Sequence, residues 1–375
     1  MPTPTMRLLT TALCGLGLSA LAWAGAPAKR PAGLTPAEAL GKAIFFDERL
    51  SSPPGQSCAT CHMPAAGFAG NGDAHIAVYE GAVKGRFGNR NPPASAYASF
   101  SPPFAKDPAT GGYVGGQFWD GRAATLEAQA TEPFFNPAEQ NLPDAKVLVD
   151  RVCRAAYAAD FRRLHGDEAC ADPARGKQAI AGAIAAYESS PESNRFSSRY
   201  DLALAGKLRL SEQEKRGARL FDGKAKCANC HPSGKGPGGE PPLFTDFTYD
   251  NLGLPRNPKN PHYTTTEALN PKGAAYVDLG LGGALGDPAQ HGKFKVPTLR
   301  NVAVSPPYGH NGCFETLEEV VRFYNTRDLP GQWPAPEVRE NMNTEELGAL
   351  GLSDAEVADL VAFMKTLTDG DVKSR

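Results

Sequence analysis

Two copies of one five-residue pattern, Cys58-Ala59-Thr60-Cys61-His62 and Cys227-Ala228-Asn229-Cys230-His231, constrain this chain more than anything else in it. Cys-X-X-Cys-His is the spacing of covalent haem c attachment. Each thiol can form a thioether to one haem vinyl group, and the histidine then lies under the ring as an iron ligand. Zinc would want two cysteine pairs converging on one metal, with no histidine needed after each. A redox dithiol has no use for the histidine twice. The repetition therefore predicts two covalently bound haem c groups, with Cys58, Cys61, Cys227 and Cys230 as attachment points and His62 and His231 on the irons.

Covalent haem is attached outside the cytoplasm, and the first residues fit export. Arg7 supplies positive charge, Leu8 to Ala22 form a short apolar run, and Ala22-Trp23-Ala24 reads as a cleavage site. Residues 1–24 are expected to be a signal peptide, the mature chain beginning near Gly25 in the periplasm. That run is too short for a comfortable membrane span, and nothing later resembles one. Bulky Leu13 before Cys14 speaks against a lipoprotein. A net charge of −2 and a pI near 6.4 argue against nucleic-acid or polybasic membrane binding. Gly (40) and Pro (33) are abundant while β patterning is scarce, which suits haem-binding helices joined by long irregular loops. Of the remaining cysteines, Cys153 and Cys170 flank a helical stretch and could pair in an oxidising compartment. The alternative leaves them and Cys313 as buried thiols.

An internal repeat organises the rest. Thr35-Pro36-Ala37-Glu38 and Ser211-Glu212-Gln213-Glu214 are capping boxes, and each leads into Gly-X-X-(Ile/Leu)-Phe and then a haem motif. Closing helices are expected at 173–189, with Ile180, Ile184 and Tyr187 on one face, and after Ser353, with Val357, Leu360, Val361, Met364 and Leu367. The polar stretch 190–207 reads as the junction. The fold expected is all-α: two cytochrome c-like haem domains, 25–195 and 196–375, packed face to face. The glycine- and proline-rich segments 81–116 and 232–297 are too long for ordinary connections and are expected to build sites.

With Phe118-Trp119-Asp120-Gly121-Arg122, Lys295-Val296-Pro297-Thr298-Leu299-Arg300-Asn301-Val302 and Pro307-Tyr308-Gly309-His310-Asn311-Gly312, the chain resembles the bacterial diheme cytochrome c peroxidases, especially their MauG-type branch. The resemblance extends over nearly the whole mature chain. It implies a first haem that meets hydrogen peroxide and a second that transfers electrons. Trp119 matches the tryptophan between the haems, where an indole can relay electrons. Gln129, Pro133 and Glu139 match the distal pocket of the first haem. There a desolvated carboxylate can move a proton between the two peroxide oxygens, with Gln129 holding the peroxide.

Two departures from the ordinary peroxidases sharpen this. Gly81-Ala82-Val83-Lys84-Gly85 lacks the loop histidine that blocks their first haem, so an open peroxide site is expected, with His75 a minor rival as distal ligand. Fourteen residues past His310, where ordinary members place a methionine, stands Tyr324, as in the MauG-type branch. A phenolate is a hard anionic donor that favours higher iron oxidation states than a thioether does. The resemblance also implies one calcium ion held by the Asn91 side chain and the carbonyls of Ser305 and Pro307. It leaves three readings of function. One is a MauG-type enzyme oxidising a residue of a partner protein. A second is a peroxide-detoxifying peroxidase fed by a small cytochrome or cupredoxin, and the third a diheme electron carrier. Methylamine-dehydrogenase-maturing members carry a surface tryptophan just before the second haem motif. Lys224-Ala225-Lys226 stands there here, which argues for a different partner.

Overall fold

The structure, a computed structural model, describes residues 33–370 except Pro237. The expected signal peptide falls outside the described residues. Thirteen α-helices are found among them: α1 (Pro36–Phe45), α2 (Cys58–Cys61), α3 (Leu126–Ala130), α4 (Glu132–Phe135), α5 (Ala145–Val152), α6 (Ala158–His165), α7 (Glu168–Ala171), α8 (Pro173–Glu188), α9 (Arg199–Leu204), α10 (Glu212–Asp222), α11 (Gly280–Leu285), α12 (Leu317–Thr326) and α13 (Asp354–Lys365). α-Helix and short 3-10 turns together make up only 38% of the described residues. The balance is irregular loop and two antiparallel ladders of two-residue strands. These pair β1 (Ala105–Lys106) with β2 (Tyr113–Val114) and β3 (Tyr249–Asp250) with β4 (Phe294–Lys295).

The two halves begin alike. Thr35 accepts from the Glu38 amide at 3.3 Å while Glu38 Oε2 accepts from the Thr35 amide at 2.7 Å. Ser211 and Glu214 repeat the exchange at 3.2 and 2.7 Å. Each box satisfies two amides that a helix start otherwise leaves orphaned. The glycine of Gly-X-X-(Ile/Leu)-Phe has the same task twice. A Cβ on Gly41 would collide with the Ala183 carbonyl of α8, and one on Gly217 with the Asp359 carbonyl of α13. Bare backbone lets α1 cross α8, and α10 cross α13, at a separation no side chain permits.

Each crossing closes a core. The first joins Leu40, Ile44 and Phe45 to Leu148, Val149, Val152, Phe161, Ile180, Ile184 and Tyr187. The second joins Phe221 to Leu317, Val321, Val357, Leu360, Phe363, Met364 and Leu367. Burial of each such side chain contributes about 1.5–3 kcal/mol. Residues from Leu34 onward nonetheless form a single compact unit.

The stretch 190–207, read as a junction from its polarity, is tightly bonded rather than loose. Ser198 caps α9 by accepting from the Asp201 amide. Asp201 pairs with Arg300 at 2.8 Å, Arg300 being 1% exposed in its side chain. Asp369 accepts from the Tyr97 hydroxyl at 2.6 Å and the Ser197 amide at 2.8 Å. Polar side chains here satisfy buried donors, a use that composition alone does not distinguish from solvation. Cys153 and Cys170 are bonded, their Cα atoms 5.9 Å apart, and Cys313 is a free thiol.

Candidate functional site

Both motif histidines are aimed by the same device. His62 Nδ1 lies 3.0 Å from the Phe68 carbonyl and His231 Nδ1 lies 2.8 Å from the Phe244 carbonyl. A carbonyl only accepts, so Nδ1 carries the proton and Nε2 is left bare to ligate a metal. Phe68 and Phe244 present those carbonyls from left-handed backbone, at φ 59° and 54°. Burial favours the neutral imidazole in both, taking His231 down to about 4. The four motif cysteines are unpaired thiols that burial pushes up to about 12. Redox dithiols need the opposite shift. Among the described residues a single set of His, Cys, Asp and Glu ligand atoms converges, Cys230 with Asp250 and Glu346, so the cysteine pairs do not share a metal. Bare imidazole nitrogens beside protonated, unbridged thiols fit haem c.

Around the first motif the structure gathers acids and amides. Glu139 follows α4, and Asn136 Nδ2 donates to its Oε1 at 2.8 Å. Burial lifts Glu139 to about 7, with Arg122 opposing, and its charge is felt at Cys61 and Cys58. The loop that lacks the histidine packs directly on it: the Ala82 amide donates to the Glu139 carbonyl at 2.7 Å, and Gly81 abuts Ala138 too closely for a Cβ. Gln129 lies partly buried in α3 and Pro133 in the first turn of α4. His75 points outward and pairs with Glu315 at 3.3 Å, away from the motif.

The second motif faces a large cavity. Cys227, Cys230, His231, Tyr324, Trp119, Asn91, Ser305, Pro307 and Lys295 all line it. Tyr324, on α12, is held in its phenol form by burial and by the neighbouring Cys227 and Cys230. His231 and Tyr324 thus share one cavity, where both could hold a single haem.

Between the motifs, Asn91 joins the halves. Its amide donates to the His310 carbonyl at 2.8 Å, its Nδ2 to the Pro307 carbonyl at 2.7 Å, and its own carbonyl accepts from Trp119 Nε1 at 2.7 Å. Turning the Asn91 amide over would set Oδ1 beside the Pro307 carbonyl, an all-oxygen pair suited to a cation. Arg90 forks onto Asp278 at 2.7 Å and reaches Asp120 at 2.6 Å, and Arg122 holds Asp120 at 2.9 Å. The Phe-Trp-Asp-Gly-Arg run is thereby pinned at the aspartate that follows its tryptophan.

Comparison with known proteins agrees with this geometry. The family model for di-haem cytochrome c peroxidase matches residues 35–209. The methylamine utilization protein MauG of Paracoccus denitrificans (strain Pd 1222) is 41% identical over 348 residues, 88% of each chain. This chain belongs to the di-haem cytochrome c peroxidase family. The cytochrome-c peroxidase IdrP1 of Denitromonas iodatirespirans is 33% identical over 88% of this chain and 81% of its own. Among solved structures, the diheme peroxidase BthA of Burkholderia thailandensis E264 superposes with a TM-score of 0.78 at 34% identity, covering 89% of this chain and 86% of that one. The protein is an oxidoreductase of the peroxidase class, and its family implies two haem c groups.

The peroxidase also places residues at these sites that the sequence did not single out. Gln140 Nε2 approaches Cys58 Sγ at 3.8 Å and Gln56 Nε2 approaches Cys61 Sγ at 3.9 Å. Glu188, at the end of α8, is 5% exposed, has an unbonded Oε2, and is lifted to about 8 by burial. Asp250 and Glu346 share the Asn343 amide beside Cys230, at 2.6 and 2.8 Å. None is adjacent to a motif in sequence apart from Gln56, so only the fold gathers them.

Proposed function

We propose that this peroxidase is MauG-type, reducing hydrogen peroxide at the first haem and drawing electrons through the second from a residue of a periplasmic partner protein. In this reading residues 25–195 form the peroxide-reacting cytochrome c-like domain and 196–375 the electron-transfer domain, all-α units set face to face. The haems supply the redox chemistry when bound. Glu139 accepts the first peroxide proton and returns it to the departing oxygen, a role that suits a carboxyl titrating near 7. Gln129 orients the peroxide, and Trp119 relays electrons between the halves. Tyr324 and His231 would both hold the second haem, and ligation by Tyr324 would require loss of the phenolic proton that burial otherwise retains. Asn91, Ser305 and Pro307 hold calcium, which would draw Oδ1 of Asn91 toward it and steady the backbone on which Trp119 hangs.

The observation that carries the proposal is the contrast between the two sites. His231 and Tyr324 line one cavity, whereas the first motif lies near a partly buried carboxylic acid under a loop without histidine. The ordinary peroxidase, fed by a small cytochrome or cupredoxin, fits the relatives named cytochrome-c peroxidases but needs a blocked first site and a methionine at 324. Ferric protein given one equivalent of peroxide, with no prior reduction, should pass to a long-lived state two electrons more oxidised. An obligatory one-electron pre-reduction would reverse the choice. No helix among the described residues is long and apolar enough to cross a membrane.

A further inference from the structure

Electrons from a protein donor need a route to a cofactor enclosed in the chain. Lys224-Ala225-Lys226, before the second motif, offers no oxidisable ring. Among the described residues tryptophan occurs only at 119 and 333. Trp119 is committed to the Asn91 carbonyl deep between the halves. Trp333 lies on the other side of Tyr324, in the turn after α12, and is unassigned.

Aromatic rings connect it inward. The Tyr324 and Phe323 rings are 6.4 Å apart, and Phe323 meets Trp333 edge to face at 5.3 Å. Phe314 braces both, 5.0 Å from Phe323 and 5.8 Å from Trp333. These rings and Leu254 form one apolar cluster against Tyr324, so few gaps interrupt the path. At the outer end Trp333 is partly exposed in a turn whose residues 328–332 are all exposed. Leu329, 45% exposed, stands in the same turn, an apolar contact for a docking protein. The turn is ordered: the Leu329 amide donates to the Thr326 carbonyl at 3.0 Å.

We propose that Trp333 is the port at which a protein donor delivers electrons to this enzyme, a step that rests on the protein-oxidising reading above. In each pass one electron leaves the Trp333 indole for the oxidised diheme unit and one electron from the donor refills the ring. Two passes and two protons match the reduction of one hydrogen peroxide to two waters. The indole keeps its proton throughout. Trp333 Nε1 donates to Thr326 Oγ1 at 2.9 Å, and that hydroxyl donates to the Arg322 carbonyl at 2.7 Å, so no base stands ready to remove it. A tyrosine is a poorer port, since it must shed its phenolic proton on oxidation. Tyr308, which lines the cavity, gives that proton to the Val302 carbonyl at 2.9 Å and has nowhere to send it.

Two measurements on the mature holoenzyme test this. First, peroxide is added with no donor, and oxidised tryptophan products are mapped by peptide mass spectrometry. Products concentrated at Trp333, and a several-fold longer-lived oxidised state in Trp333→Phe, are expected; products spread evenly with an unchanged lifetime overturn the port. Second, reduced mitochondrial cytochrome c serves as the protein donor. Trp333→Phe and Phe323→Leu should each slow its oxidation several-fold while haem spectra and the rate of reaction with peroxide stay as in the parent. An unchanged donor rate in both variants also overturns the port. Should the enzyme demand prior reduction, the protein-oxidising reading fails, and the cytochrome assay on pre-reduced enzyme still decides the role of Trp333.

Discussion

The two halves share a chassis and differ at equivalent positions. In both, a capped helix crosses a closing helix over a bare glycine, and a left-handed phenylalanine carbonyl fixes the motif histidine. Five residues past the carbonyl that each glycine meets, α8 carries Glu188 and α13 carries Met364. Opposite the first motif stands Glu139, and opposite the second Tyr324. Residues that close a core are constrained by packing and stay alike. Residues facing a cofactor are set by its chemistry and diverge. On the proposed reading, that difference would leave one centre able to handle protons and another suited to holding charge.

The sharpest way to break the contrast is to exchange the roles. Glu139→Gln should slow reaction with peroxide about 100-fold or more by stopped-flow, leaving the second haem's spectrum intact. In the parent that rate should rise with pH through about 7, since only the ionised carboxyl can accept a proton, and the glutamine should flatten the profile. Tyr324→Phe should do the reverse, changing the second haem's spectrum and raising its potential while peroxide still reacts at the parent rate. Effects on the wrong haem in either variant would undo the division of labour.

Stability tests probe what the halves share. Asp201→Asn strands Arg300 in a buried site and should cost about 3–5 kcal/mol in denaturant unfolding. Gly41→Ala and Gly217→Ala should each cost about 1–3 kcal/mol by forcing the helix crossings apart. A large cost in one half alone would show that the second crossing tolerates adjustment. Smallest, Thr35→Ala and Ser211→Ala should each cost about 1 kcal/mol, matched between the halves because the caps match.

The chassis was legible in the sequence because local rules write it. Capping boxes and the repeated Gly-X-X-(Ile/Leu)-Phe announced α1 and α10, and α8 ends within a residue of the expected position, whereas the close crossings over the glycines emerged only in the fold. The long loops were recognisable only as unusual. Their ladders are two residues long, and their turns rest on left-handed residues such as Tyr97 and Phe247, which carry no glycine signal. The bonding within 190–207 was not legible, because buried hydrogen-bonding polarity and solvated polarity look the same in composition. Glu188, Asp250 and Glu346 escaped because each lies far along the chain from the motif it approaches. Resemblance, rather than periodicity, pointed to Trp119, Glu139 and Tyr324.

Asn91 spends its N–H and its carboxamide on the one turn that holds Pro307 and His310, and its carbonyl on the Trp119 indole. One residue thereby acts as a surveyor's peg for the whole machine. A pull on either segment reaches the other through a few covalent bonds. A change at this asparagine would therefore loosen the Trp119 indole and the 307–310 turn together.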